Sequence, residues 1–373
     1  MSARFTSAMM AALFISLSAN ANDLRINGFM NVTAGHLSTE DISQDGYDDG
    51  VKFDQDTLVG VQLAQQVNDS TSATAQLISR GREDFNTEAA WVYVTYAVND
   101  DTDIRLGRLR TPYFHYSDFL EVGYAYNWVR PPSLVYRLDA FSSINGIDIS
   151  HRFAFGQTDG VIQIYSGRYK DDLGVSDSAY TIELRRAFGI VASFTQGNFG
   201  GRASYHQADV SLDIDPTQAG AGGRVLDNLA AQAALLGVGD EFLADDAKAK
   251  FYQASINYDN GSTSLIAEWT ALDQDTASLL DDSAYLISAA QRLGEATLHL
   301  TYTQAEDDPE SGTVGTLQSM AEYKQSSIIV GVRYDYDSSA AFKVDVQYND
   351  EELVNGQDGD SGILYNLGMS LVF

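Results

Sequence analysis

Three features of this sequence predict an all-β chain, folded as a sixteen-stranded antiparallel transmembrane β-barrel with an inward-folded third loop. Segment after segment alternates apolar with polar residues, the period of a strand with two different faces. The connections between segments alternate short and long, as they do when turns gather at one rim of a barrel and loops at the other. And 31 Gly, 21 Tyr and 17 Phe stand against only 5 Pro, a balance suited to long antiparallel strands.

Composition also removes classes of function. The chain has 373 residues and carries 23 Lys and Arg against 52 Asp and Glu, a net charge of −29. No nucleic-acid partner is expected, because a polyanion needs a basic footprint. The absence of Cys excludes a disulfide scaffold, a Cys-ligated zinc site and a Cys nucleophile. At 44% hydrophobic the chain is too apolar for disorder.

The first element is an address. Arg4 supplies a positive start, Met9 to Leu17 an apolar run, and Ala19-Asn20-Ala21 the small-x-small pattern of a signal peptide over residues 1–21, cleaved after Ala21. The run falls well short of the roughly 20 apolar residues that a spanning helix needs. Residues 22–373 are expected to form the barrel.

Its strands are expected near 24–36, 57–67, 71–81, 88–98, 102–110, 143–155, 159–169, 187–197, 200–211, 249–259, 262–272, 282–292, 295–305, 325–337, 340–350 and 361–373. The long connections are 37–56, 82–87, 111–142, 170–186, 212–248, 273–281, 306–324 and 351–360; the others are tight turns such as Asp259-Asn260-Gly261. Near the end, Phe342, Val344, Val346 and Tyr348 oppose Lys343, Asp345, Gln347 and Asn349. In the last segment Ile363, Tyr365, Leu367, Met369, Leu371 and Phe373 share a face. A soluble sandwich would alternate too. Aromatics near strand ends, among them Tyr252, Tyr258, Tyr334, Tyr336, Tyr348, Tyr365 and Phe373, form the girdle of a membrane barrel instead. Sixteen strands enclose an aqueous lumen. Arg202, Ser204, His206, Glu268, Arg292, Arg333, Asp335, Lys343 and Asp345 fall on the polar faces that would line it.

Two long loops have their own character. Residues 212–248 form a long extracellular loop, with a short helix expected over 225–236. Residues 111–142 are crowded with aromatics from Tyr113 to Trp128, unlike the Asp-, Gly- and Ser-rich loops elsewhere. An exposed apolar patch of that size would be unusual, so this loop is expected to pack inside the barrel.

The chain resembles the sixteen-stranded general diffusion porins of Gram-negative outer membranes. The likeness rests on the signal peptide, the strand count, the terminal Phe373, and Arg105-Leu106-Gly107-Arg108-Leu109-Arg110 running into an aromatic loop that ends Trp128-Val129-Arg130-Pro131-Pro132. The Pro-Glu-Phe loop motif of the family is absent. The resemblance implies a third loop that narrows the pore, association into a homotrimer, and outer-membrane lipid and lipopolysaccharide around the barrel.

Residues 102–152 hold six basic and five acidic side chains within a strongly acidic chain. Opposed charges across a pore would orient polar solutes and exclude apolar ones. The constriction is accordingly expected at Arg105, Arg108, Arg110, Asp118, Glu121, Arg130, Arg137, Asp148 and Arg152, with some of the arginines serving only as salt bridges that pin the loop. Alternation puts Asp148, Ser150 and Arg152 on one face and Ile147, Ile149 and Phe153 on the other. Arg105 and Arg108 share a face only across a bulge or a strand end near Gly107. The acidic loops at 45–50, 273–282 and 306–310 lack calcium-loop spacing and read as solvated. The His residues show no ligand spacing and no nucleophile–base pair is recognisable, so neither cofactor nor enzyme activity is expected. The function expected is passive diffusion of small hydrophilic solutes; the alternative is a substrate-selective channel of the same fold with an arginine-lined anion or carboxylate site.

Overall fold

The computed structural model describes residues 24–40, 42–138, 141–175, 178–214, 232–242, 244–318, 323–353 and 358–373. The export segment and its cleavage point lie outside them. The strands are β1 (Leu24–Leu37), β2 (Leu58–Asn68), β3 (Thr71–Arg80), β4 (Thr87–Asn99), β5 (Thr102–Arg110), β6 (Ser143–Phe155), β7 (Thr158–Val175), β8 (Ser178–Gln196), β9 (Phe199–Ile214), β10 (Ala247–Asp259), β11 (Thr263–Gln274), β12 (Asp281–Leu293), β13 (Ala296–Asp308), β14 (Tyr323–Asp335), β15 (Ala340–Leu353) and β16 (Asp358–Val372). Each pairs antiparallel with its neighbours in sequence, and β16 closes on β1, giving a barrel without edges. All sixteen strands expected from alternation are present.

The last residue takes part in closure. Phe373 and Gly28 exchange backbone hydrogen bonds of 2.9 and 2.7 Å. The Phe373 ring lies over Gly28, where a Cβ would stand 2.1 Å from it, so a side chain there would displace the ring.

The wall is the inverse of a water-soluble protein. In β15 Phe342 is 42% exposed and faces outward with Val344, Val346 and Tyr348, whereas Lys343 is 1% exposed and faces inward with Asp345, Gln347 and Asn349. The same holds in β6, where Ile147, Ile149 and Phe153 are exposed and Asp148 is buried. A continuous outward apolar band is favourable against hydrocarbon and costly against water.

Three loops differ from expectation. Residues 351–360, expected as a long connection, are mostly strand, since β15 runs on to Leu353 and β16 begins at Asp358. Residues 170–186 are not a long connection: β7 runs on to Val175 and β8 begins at Ser178. The alternation Ile182, Leu184 against Thr181, Glu183, Arg185 continues the hairpin, but a register slip between Arg185 and Phe188 breaks its phase from the rest of β8. In the 306–324 connection β13 extends to Asp308 and a helix, α1 (Gly312–Gln318), buries Val314 and Leu317 against Ala233, Phe242 and Ala277. Of the helix expected over 225–236, residues 225–231 lie outside the described residues, and 232–235 are helical.

Candidate functional site

After β5 the chain makes two 3₁₀ turns, Ser117–Phe119 and Gly123–Ala125, and its polar groups bond to inward-facing side chains of distant strands. The His115 N–H donates to Glu268 Oε1 on β11 (2.7 Å), and the Tyr136 hydroxyl donates to the other oxygen of the same carboxylate (2.6 Å). Trp128 Nε1 donates to Thr301 on β13 (2.8 Å). The Val129 N–H donates to Asp345 on β15 (2.7 Å). Lys343 donates to the carbonyls of Trp128 (2.7 Å) and Gly123, with its ammonium 4.5 Å from the centre of the Tyr126 ring. Arg333 donates to the carbonyls of Tyr124 (2.7 Å) and Tyr126 (3.0 Å). Arg202 donates to those of Pro112 and Tyr113. Tyr124 reaches the carbonyl of Asp337, in the short turn between β14 and β15.

Most of the charged residues expected at a constriction are ion-paired. Arg105 bonds Asp148 at 2.8 Å, and Arg152 bonds Asp103 at 2.7 Å. Arg110 meets Glu121 at 2.9 Å, and Arg80 meets the same oxygen at 3.1 Å. Arg130 bridges to Asp45 (2.9 Å) and Asp56 (3.5 Å) of the first loop, and Arg137 pairs with Asp282 on β12. Asp118 is exposed. The pairing of β5 with β6 runs without a slip through Arg105↔Asp148 and Arg108↔Asn145, so no bulge brings Arg105 and Arg108 to one face. Gly107 between them takes φ 142°, and a Cβ there would stand 2.2 Å from the Val92 carbonyl. The Nε of Arg108 is buried without a partner among the described residues.

Two of the cavities that border the loop are lined by its charged residues. One, of about 650 Å³, is lined by Asp103, Arg105, Asp118, Arg152 and Arg202. The other, of about 370 Å³, is lined by Asp45, Asp56, Arg80, Glu121, Arg130 and Arg137. The nine expected residues therefore divide. Arg105, Asp118 and Arg152 share the first cavity, with Asp148 behind Arg105; Glu121, Arg130 and Arg137 share the second, with Arg110 behind Glu121; Arg108 lines neither.

Glu121 shows what the pairing does. Burial pushes its carboxyl up, but Arg110 and Arg80 together outweigh this and hold it below the ordinary carboxylate range. Burial, helped by the charge of Arg202, pushes His115 down to about 4. Arg80 was not among the expected site residues. It ends β3, a full turn of the chain before the third loop, and its carboxylate partners Glu83, Glu88 and Glu121 come from three separate segments.

No protein-family model matches the chain, and no curated protein matches it. Solved structures do. The anion-selective porin from Comamonas acidovorans superposes with a TM-score of 0.59 at 12% identity, covering 94% of this chain and 99% of that one. The outer membrane channel DcaP of Acinetobacter baumannii gives 0.59 at 11% identity, covering 94% and 97%. OmpT of Vibrio cholerae gives 0.58 at 11% identity over the same shares. The chain has the sixteen-stranded fold of these outer-membrane proteins.

Proposed function

We propose that this chain is an outer-membrane porin, a water-filled channel for passive diffusion of small hydrophilic solutes and ions, and not an enzyme. The observation that carries the reading is the closed sixteen-stranded wall with charged residues inside and an apolar face outside. A barrel of this strand number leaves an aqueous channel when its interior is polar. Residues 111–142 fold into the lumen and set its narrowest cross-section; their bonds to Glu268, Thr301, Lys343 and Asp345 support this. The protein is exported with cleavage after Ala21. It stands in outer-membrane lipid with its acidic loops towards lipopolysaccharide, and associates as a homotrimer, the form in which one solved OmpT of Vibrio cholerae occurs.

The charge pattern supports weak ion selectivity. Arg105, Arg110, Arg130, Arg137 and Arg152 each face a carboxylate, which cancels most of the field a solute would feel. One observation favours the second reading, an anion or carboxylate site: Arg202 borders the larger cavity beside Arg105 and Arg152, and the hydrogen bonds of its guanidinium go to neutral acceptors. Reconstitution into a planar bilayer tests both. Stepwise conductance in KCl is the expected result, and its absence from folded barrels would sink the channel. Block by a small carboxylate at micromolar concentration would establish the second reading over free diffusion.

A further inference from the structure

Above the register slip in β8 the wall changes character. Tyr169, Ile182, Leu184 and Val210 are buried together on the inner side, with Phe141, Ala208 and Leu212 against them. Below the slip the apolar residues Phe188, Ile190 and Phe194 are the exposed ones. Arg186, at φ 50°, marks the change of phase. The inner wall thus carries an apolar segment formed by β7, β8 and β9, beside the apolar cluster of Phe251, Ile266 and Leu286 on β10 to β12.

This segment does not simply pack shut. It borders a partly open cavity of about 200 Å³, lined by Leu138, Phe141, Ile182, Leu184, His206 and Phe251 among others. An apolar cavity of about 150 Å³ already holds benzene, so the space suits one aromatic ring. Tyr113, also lining the cavity, meets His206 edge-on with centroids 4.9 Å apart and Phe251 at 5.3 Å.

The polar feature is His206, which is 3% exposed. Its Nδ1 lies 2.7 Å from the Tyr165 hydroxyl. The phenol is the natural donor in that contact, so Nδ1 accepts and the ring hydrogen sits on Nε2. Nε2 is buried and has no partner among the described residues. A buried donor without an acceptor is unfavourable, and an acceptor atom arriving in the cavity would satisfy it.

We infer that this cavity binds a small neutral aromatic solute bearing an oxygen acceptor, with its ring among Ile182, Leu184 and Phe251 and its oxygen accepting from His206 Nε2. An ionised carboxylate is disfavoured, because an apolar cavity offers it no adequate replacement for water. The inference rests on the channel reading only for the route by which the solute arrives.

The test is equilibrium dialysis of benzyl alcohol and of toluene against the full mature chain in lipid nanodiscs, with empty nanodiscs correcting for partition into lipid. One saturable site per chain is expected. Leu184→Trp, which fills the cavity, abolishes saturable binding while the barrel keeps its heat-modifiable migration. His206→Phe keeps an aromatic ring but removes the donor; it weakens benzyl alcohol about tenfold, the scale of one hydrogen bond, and leaves toluene unchanged. Absence of a saturable component in the wild type, binding unaffected by Leu184→Trp, or equal loss of both probes in His206→Phe overturns the inference. Conductance without saturable binding sinks this site and spares the channel. Saturable binding by folded barrels that conduct no ions supports the site and sinks the channel.

Discussion

The wall formed by β13 to β16 and the loop at 111–142 meet at Lys343, Asp345 and Thr301, yet they are specified in opposite ways. The wall repeats one local rule, apolar out and polar in, at every second residue. Its stability is spread over many equivalent positions. The loop obeys no period. It is held by one apolar cluster, in which Tyr113, Phe114, Val135 and Tyr136 pack on Phe251, Ile266 and Leu286, and by single bonds to residues far away in sequence, such as Val129 to Asp345 and Tyr136 to Glu268. The wall should therefore fail by losing its face, and the loop by losing individual partners while the barrel survives.

The largest effect is expected on the wall. Val330 is 54% exposed on the outward face of β14, and Val330→Arg puts a charge where hydrocarbon is expected. A cost of about 2–4 kcal/mol follows for a charge near the bilayer midplane. Urea titration of the barrel refolded in vesicles measures it, and an unchanged midpoint would mean that face meets water.

Next comes the loop. Asp345→Ala strands the Val129 N–H and removes the partner of His299 Nε2, which lies 3.1 Å from the same carboxylate. Loosening of the loop by about 1–3 kcal/mol is expected. The barrel should still fold, and single channels should visit a higher-conductance state. Steady wild-type current would separate the loop from the conducting path.

A smaller shift is expected in selectivity. Replacing Arg105 and Arg152 by Gln removes cations lining the larger cavity, and the zero-current potential in a KCl gradient should move towards cation selectivity. Neutralising Asp48 and Asp49 on the first loop and Asp308 at the end of β13 should move it less, because salt screens such charges beyond roughly 8 Å. Equal shifts would refute control by the cavity.

The smallest effect concerns pH. In the anchored loop burial pushes His115 down to about 4, from an ordinary 6.5. The detached loop therefore binds more protons between these values, so anchoring weakens as pH falls from about 6.5 to about 4 and is fully present above that window. Glu121, held below the carboxylate range, keeps its contribution until pH falls further. Open-channel noise should rise across the upper window in the wild type and stay flat in His115→Gln. A rise of equal size in both would exclude His115 as its source.

How far each region was legible follows from the same contrast. All the strands of the barrel could be read because water and hydrocarbon impose a two-residue period along most of the wall. The β7–β8 hairpin escaped where the slip between Arg185 and Phe188 reverses the phase, so that Ile182 and Leu184 face inward with Ala187 and Val191 across a break. In the loop, the aromatic density of 113–128 marked a packed segment, and the charge count marked its arginines. The partners were not legible. Nothing local to Arg110 or Arg130 indicates that Arg80 shares Glu121, or that Asp45 and Asp56 receive Arg130. Those pairings depend on closure of the whole barrel.

The absence of Cys makes the position of the loop directly measurable. A Cβ on Gly368 of β16 would lie 3.0 Å from a methyl carbon of Val129, so side chains at the two positions are in contact. In the double variant Val129→Cys, Gly368→Cys, mild oxidation of the folded barrel should form the cross-link nearly completely, read as loss of free thiol and altered migration without reductant. Two thiols that stay free in a heat-modifiable, conducting barrel would contradict the account, because the third loop would then not lie against the inner wall.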